Sequence, residues 1–160
     1  MPPPGSSFRT RGTHLAQLPA TVKPRWAPLY SALLPGAVGY LDSLGELDRY
    51  HLVRPRDALA MVGPLPVKIN PHLAVRRDDG YTEVARLHFD EEPPGRELTL
   101  ATLHLMGRAM QTLLPGGTPV LVDIRHGVVH RPEPGVREEQ VERWLAGEAA
   151  AFSAMWQAAA

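Results

Sequence analysis

The sequence predicts an α/β domain in which a mixed central sheet of about four strands is flanked by helices. Two observations lead to this fold class. Apolar residues recur with a helical period near the start, in the middle and at the end of the chain. Between these segments the pattern changes to extended runs joined by short turns, among them Asp-Gly at 79–80. The predicted element order is α-α-β-β-α-β-β-α.

The first two predicted helices come from "WAPLYSALLPGAVGYLDSLGELDRYHLV" (26–53), which is mainly helical in pattern. Pro35 and Gly36 are predicted to break this stretch, because proline removes a backbone donor and clashes with the preceding turn. A second helix is therefore expected at about 38–49. The following "RPRDALAMVGP" (54–64) is predicted as a short helical turn that Gly-Pro closes.

The next four predicted elements are a hairpin, a helix and a strand. "LPVKINPHLAVRR" (65–77) is predicted as a strand, and the turn at 78–80 leads into a second strand over 81–90. The helix "RELTLATLHLMGRAMQTLL" (96–114) ends sharply at Pro-Gly-Gly. The strand "TPVLVDI" (118–124) follows it.

A short returning strand over 128–132 and a long helix over about 136–157 complete the predicted fold. The long helix has one apolar stripe at helical spacing. Core packing and the docking of a partner are both open for this stripe. Its members are Val141, Trp144, Leu145, Ala149, Phe152, Met155 and Trp156.

Length and composition favour one domain over residues 25–160. The chain has 160 residues, 44% of them apolar, and no cysteine, so disulfides and thiolate chemistry are excluded. No apolar run reaches the roughly 20 residues that span a bilayer, and the start lacks the apolar region of a signal peptide. We therefore expect a cytoplasmic protein that does not enter membranes.

The first 41 residues contain four basic side chains and no acid, although the whole chain has zero formal charge. Residues 1–24 are predicted to form a flexible, basic, proline-rich leader. Such a leader can contact nucleic acid or an acidic partner, or it can simply keep the chain soluble.

Two segments carry a family resemblance. "VLVDIRHGVVH" (120–130) and "INPHLAVRRDDGYTEVARLHF" (69–89) resemble the core of the PD-(D/E)XK nuclease superfamily, and in particular its RecB-type branch, which includes CRISPR-associated exonucleases. The resemblance covers about residues 60–150. It implies a restriction-endonuclease-like fold in which carboxylates from adjacent strands hold Mg²⁺ and a lysine assists the attacking water.

The residues that would carry this chemistry are replaced. Where the family has acids, lysine, glutamine and tyrosine, this chain has basic or amide side chains: Asn70 or His72 on the first strand, Arg86 and His88 on the second, and His104 and Arg108 on the helix. A guanidinium repels Mg²⁺ but binds phosphate oxygens. We therefore predict that these six residues converge on a cleft that binds an anion or nucleic acid, with no catalytic residue, no metal ligand and no cofactor.

The function predicted on this basis is a non-catalytic binding or assembly component with a nuclease fold, and nucleic acid is its candidate ligand. One alternative is an active Mg²⁺-dependent nuclease whose site has moved to Glu83, Asp90, Asp123 and Lys68. Another is a protein-interaction module that binds a partner, or a second copy, through the aromatic C-terminal helix. A further alternative for the basic residues is a solvated sheet face without a cleft.

Overall fold

The computed structural model describes residues 17–160. The leader predicted for residues 1–24 therefore lies mostly outside the described residues, and only residues 17–24 of it are within them. Of these, residues 17–21 are helical.

Besides the helical residues 17–21, the described chain contains four helices and seven strands. The helices are α1 (Ala27–Ser43), α2 (Arg96–Arg108), α3 (Met110–Leu113) and α4 (Glu138–Ala159), with single 3₁₀ turns at Pro24–Trp26 and Leu47–Arg49. The strands are β1 (Tyr50–Val53), β2 (Ala58–Val62), β3 (Leu65–Ile69), β4 (Leu73–Arg77), β5 (Thr82–His88), β6 (Thr118–Asp123) and β7 (Val128–His130).

Five of the strands form one mixed sheet in the order β1-β4-β5-β6-β7. All neighbours are antiparallel except β5 and β6, which run parallel and are connected through α2 and α3. Strands β2 and β3 pair only with each other, as a separate hairpin. The α/β class and the mixed sheet flanked by helices are thus confirmed.

The sheet has two differently covered faces because successive side chains of a strand point to opposite sides. On one face, here called the α1 face, Ala85 and Val122 pack against Tyr40 of α1. On the other, the α2 face, Val84 packs against Met106 of α2, together with α3 and the β2–β3 hairpin. The sheet is therefore the middle layer between two apolar cores.

The predicted break at Pro35 and Gly36 is wrong, because α1 runs through both residues. The reason is tertiary packing. A Cβ placed on Gly36 would lie 1.7 Å from the backbone oxygen of Ile124, so α1 touches the end of β6 at a point where only glycine fits. The helix predicted at 38–49 does not form separately, since its first part continues α1, which ends just before Gly45 at φ 81°.

The predicted helical turn at 54–64 is also wrong, because this stretch contains β2 and the start of the β2–β3 hairpin. Gly63, at φ 57°, forms the hairpin turn instead of closing a helix. The single strand predicted over 65–77 is divided at residues 70–72, since β3 pairs with β2 whereas β4 pairs with β1 and β5.

The second half of the chain follows the prediction more closely. The hairpin around residues 78–80, β6, β7 and the long last helix lie within a few residues of their predicted bounds. The helix predicted over 96–114 is interrupted at Ala109, which separates α2 from α3. No helix within residues 17–160 is both long and apolar enough to cross a membrane.

Candidate functional site

Three of the predicted site residues form one group on the α2 side of the β4–β5 hairpin. Arg86 donates two hydrogen bonds from Nη1 to Asn70, one to the backbone oxygen and one to Oδ1, both at 2.8 Å. The Nδ1 atom of His72 accepts a 3.0 Å hydrogen bond from the backbone N–H of Leu87. We call Asn70, His72 and Arg86 the Arg86 group.

The electrostatics of the Arg86 group make Arg86 its only cation at neutral pH. Burial of the His72 ring, and then the nearby charge of Arg86, lower the pKa of His72. Because Nδ1 accepts a hydrogen bond, the neutral ring carries its proton on Nε2. The edge of the ring also packs against Phe89, with ring centroids 5.4 Å apart. His72 is thus a positioned neutral donor, not a second positive charge.

His88 projects to the same face as Arg86, as its spacing predicts, but its ring contacts the loop that follows β5. Nε2 lies 2.8 Å from the backbone oxygen of Glu92, and Nδ1 lies 4.0 Å from the Asp90 carboxylate. The side chain is largely buried. Both ring nitrogens of His88 therefore face partners in the segment that connects β5 to α2.

His104 and Arg108 lie apart from the Arg86 group, on the side of α2 that faces α4. The Nε2 atom of His104 is 3.4 Å from Glu142 Oε1, and Arg108 Nη1 is 3.8 Å from the same oxygen. Within residues 17–160, no hydrogen bond or ion pair connects these two residues to the Arg86 group. The structure thus distributes the six predicted residues over separate places instead of joining them in one cleft.

The most extensive polar cluster of the described chain surrounds Glu83, on the α1 face. Glu83 is almost completely buried, and its carboxylate accepts hydrogen bonds from Tyr40 Oη at 3.2 Å and Tyr81 Oη at 2.9 Å. Arg131, just after β7, adds bonds of 2.7 Å from Nε and 3.3 Å from Nη2. We call Tyr40, Tyr81, Glu83 and Arg131 the Glu83 cluster.

The charges in the Glu83 cluster are matched. Burial, together with the negative charge of Glu83, raises the pKa of Tyr40, and the same two causes raise that of Tyr81. The hydrogen bond to Glu83 raises the pKa of Arg131. Two neutral phenols and one guanidinium therefore surround the carboxylate, and both of its oxygens are occupied by donors.

Sequence reasoning found Glu83 only as a relocated metal ligand and missed the cluster. One signal was available: Tyr81 and Glu83 are two residues apart and thus share a face, opposite to that of Arg86. The contributions of Tyr40 and Arg131 had no such signal.

A second buried carboxylate, Asp123, lies on the other face of the sheet. Both of its oxygens are within 2.9 Å of His126 Nδ1, and the backbone N–H of His126 donates to it at 3.2 Å. Since β5 and β6 are in register, Asp123 shares the face of its partner His88, whereas Glu83 faces α1. Glu83 and Asp123 are therefore separated by the sheet and do not form a common site.

The remaining residues of the relocated nuclease site are also not assembled. Lys68 pairs with Asp57 at 2.9 Å on the exposed β2–β3 hairpin, and Asp90 is an exposed loop residue. Within the described part of the chain, no three histidine, aspartate or glutamate side chains are grouped closely enough to hold a metal ion.

The apolar stripe of α4 is buried at two positions, 38% exposed at Trp144 and more exposed near the end of the helix. Val141 and Ala149 are buried. By contrast, Phe152, Met155 and Trp156 are 49%, 65% and 70% exposed, and the Phe152 and Trp156 rings are stacked with centroids 6.3 Å apart. We call these three side chains the α4 surface.

Comparison with known proteins adds no relative to this description. No protein-family model matches the sequence, and no curated protein is significantly similar to it. The resemblance to the PD-(D/E)XK superfamily therefore depends on the order of elements and on the two quoted segments. The geometry of the described residues is the basis of the function proposed below.

Proposed function

We propose that this chain is a non-catalytic assembly component with a restriction-endonuclease-like core, and that it self-associates through the α4 surface. Support for the core comes from topology. The β4–β5 hairpin, the crossover through α2 and the parallel strand β6 follow in the order that the resemblance implies. An α/β sheet can reach this order without common ancestry, so the fold alone does not assign the activity.

The surroundings of the two buried carboxylates support a non-catalytic role. Mg²⁺ takes oxygen ligands, chiefly carboxylates and waters. Arg131 neutralises Glu83, and His126 occupies both oxygens of Asp123. Arg86 places a cation on the strand position where the resemblance requires an acid. A metal ion at any of these places would have to displace a bound cation or donor.

The observation that carries the assembly proposal is the exposure of the α4 surface. Large aromatic side chains contribute most of the binding energy at protein interfaces, and contiguous exposed apolar patches mark interaction sites. Residues 149–160 contain no charged side chain, and Ser153 and Gln157 are their only polar side chains. This surface therefore has no charged side chain with which a charged partner could form an ion pair.

A second copy of the chain is the occupant that fits best. A two-fold axis places the same uncharged surface against itself, and a net charge of zero removes long-range repulsion between copies. With aromatic side chains that bury about 150–250 Å² each, the exposed parts of Phe152, Met155 and Trp156 provide roughly 400 Å² per copy. An interface of roughly 800 Å² in total is smaller than that of stable complexes, so we expect weak, reversible association.

Sedimentation velocity over a range of concentrations tests this dimer. The wild-type chain should form more dimer as its concentration rises through the micromolar range, and Phe152→Ser with Trp156→Ser should abolish the increase. Leu98→Ser is the matched control, since Leu98 is also 49% exposed but lies on α2. A wild-type chain that stays monomeric at several hundred micromolar would contradict the proposal, as would an equal loss in the Leu98 variant.

A nuclease assay separates the non-catalytic proposal from the alternative of a relocated site. Supercoiled plasmid incubated with the purified chain and Mg²⁺ or Mn²⁺ should stay intact. Cleavage that disappears on chelation, and that Asp123→Asn also abolishes, would establish the metal-dependent nuclease instead.

Nucleic-acid contact at Arg86 is a second candidate function, favoured by the free side of this guanidinium. Arg86 bonds to Asn70 through Nη1 only, and no carboxylate within residues 17–160 pairs with it. Its Nε and Nη2 groups can therefore donate to a phosphate.

Fluorescence anisotropy of a labelled duplex, measured over a salt series, tests this contact. Arg86→Glu should weaken binding and reduce the salt slope by about one unit, whereas Arg96→Glu, a charge reversal at the start of α2, serves as the control. Absence of binding at low salt, or an equal effect of the two variants, would remove this candidate.

A further inference from the structure

A groove of roughly 500 Å³ lies between α2, α4 and the segment after β7. Its volume is within the range of about 300–1,000 Å³ that is usual for small-molecule sites. Apolar side chains share the walls with polar and charged ones, and none of the three residues of the α4 surface lines the groove. The apolar lining residues are Leu100, Leu103, Pro119, Val129, Val136 and Val141.

Two polar atoms in the lining of this groove are buried without a hydrogen bond. They are Thr99 Oγ1 and His104 Nε2, and the His104 side chain is only 8% exposed. Buried polar atoms in proteins nearly always have a partner, because leaving water without one is unfavourable. Unpaired polar atoms in the lining of a groove therefore indicate a ligand with a hydrogen-bonding group.

The carboxylate of Glu142 lies near the position that the hydrogen-bonding group of such a ligand would take. Its Oε1 lies 3.4 Å from His104 Nε2 and 3.8 Å from Arg108 Nη1, so it is near both but forms a hydrogen bond with neither. The Glu142 side chain is half exposed and can turn into solvent. Its carboxylate marks a position at which negative charge faces a cation and an imidazole.

We propose that the groove binds an apolar carboxylate. The carboxylate of the ligand replaces that of Glu142 between His104 and Arg108, and its apolar tail lies along Leu100, Leu103 and Val141. The planar Arg108 fork suits a carboxylate, and His104 Nε2–H supplies a second donor. Glu142 is then an internal competitor that the ligand displaces. This site is independent of the proposed self-association.

The chemistry of the groove distinguishes this ligand class from others. At the position of the Glu142 carboxylate, Arg108 would repel an ammonium group, which Glu133 and Glu138 would attract only elsewhere in the groove. A purely apolar ligand would leave His104 Nε2 unpaired. Glu133 and Glu138 also line the groove, and the Arg131 guanidinium there is already bound to Glu83. The selection of an acid therefore depends on the pair His104 and Arg108.

Isothermal titration calorimetry with three probes tests the proposal on the full chain. Octanoate carries both the acid and the tail, 1-octanol only the tail, and acetate only the acid. Octanoate should bind with a Kd in the millimolar range or below, at least about tenfold more tightly than the other two. Amide shifts of Thr99, Leu103 and Val129 in ¹H–¹⁵N spectra should report binding in the groove, as distinct from the α4 surface.

Variants separate a ligand site from a structural ion pair. Arg108→Ala should weaken octanoate binding by about tenfold, because it removes a charge-assisted hydrogen bond. Glu142→Gln should tighten it several-fold, because the competing charge is gone. Glu139→Ala, an exposed change on the same helix, is the control and should leave the affinity unchanged. Thermal melting of each variant verifies that it is folded.

Three results would overturn the proposal: no octanoate binding at about 10 mM probe, roughly tenfold above a millimolar Kd, equal binding of octanoate and 1-octanol, or an Arg108→Ala variant that binds like the wild type. If Glu142→Gln lowers the melting temperature and does not tighten binding, Glu142 only joins α2 to α4, and the displacement mechanism is wrong.

Discussion

Replacing Arg131 by methionine should lower the free energy of unfolding by about 2–3 kcal/mol. Within residues 17–160, Arg131 provides two of the four hydrogen bonds to Glu83 and the only positive charge bonded to it. Removing one partner of a buried ion pair costs about 3–5 kcal/mol, because a charge stays buried without compensation. Here the cost is lower, since Arg131 is itself 35% exposed and both tyrosine hydroxyls still donate.

Urea denaturation followed by tryptophan fluorescence measures this loss, and a double variant identifies its cause. Glu83→Gln with Arg131→Met has no buried charge left in the cluster, so it should be more stable than the Arg131→Met single variant. A single-variant loss below about 0.5 kcal/mol, the size of an ordinary surface substitution, would refute the reasoning.

Two further predictions concern glycine packing and the hairpin turn. Gly36→Ala should destabilise the protein severely or prevent folding, because its Cβ would lie 1.7 Å from the backbone oxygen of Ile124. Gly147 has open space around it, so Gly147→Ala should raise stability by up to about 1 kcal/mol. Thermal melting measures both effects. The hydrogen bond from Arg77 lowers the pKa of Asp79 from 3.8 to about 2. The stability that the ionised Asp79 contributes is therefore present above about pH 4 and lost as the pH falls through about 2. A carboxyl NMR titration should give that pKa, and Arg77→Ala should return it towards its ordinary value; an unchanged pKa in the variant would contradict this cause.

The parts of the fold that the sequence could predict are those in which local chemistry and final packing agree. The Asp-Gly turn before β5 is an example, since Gly80 adopts φ 94° as such a turn requires. At Pro35 and Gly36 the two disagree. Local propensity favours a break, but the contact with Ile124 needs a continuous helix with no side chain at Gly36. That contact joins residues distant in sequence, and no local pattern contains it.

For the site residues, too, a contact was predictable from the sequence only where the partners are close in the chain. Arg86 and Asn70 are 16 residues apart, on β5 and just before β4, and the family resemblance was sufficient to place them together. The partners of Glu83 are 43 and 48 residues away, on α1 and after β7. Their meeting depends on how α1 and β7 pack against the sheet. A pattern along the chain identifies the face on which Glu83 lies, but not the residues that neutralise it.

Both proposed binding regions include residues of α4, but they lie on different parts of this helix. A helix of 22 residues is roughly 33 Å long, and Glu142 and Phe152 are separated by roughly 15 Å along it. The first half is fixed by the burial of Val141 next to α2, whereas the second half exposes its aromatic side chains. A ligand that displaces only the Glu142 side chain leaves the packed stripe unchanged. Octanoate should therefore not alter the dimer equilibrium, and Trp156→Ser should not alter octanoate affinity; a change in either would mean that α4 moves as a unit when the groove is filled.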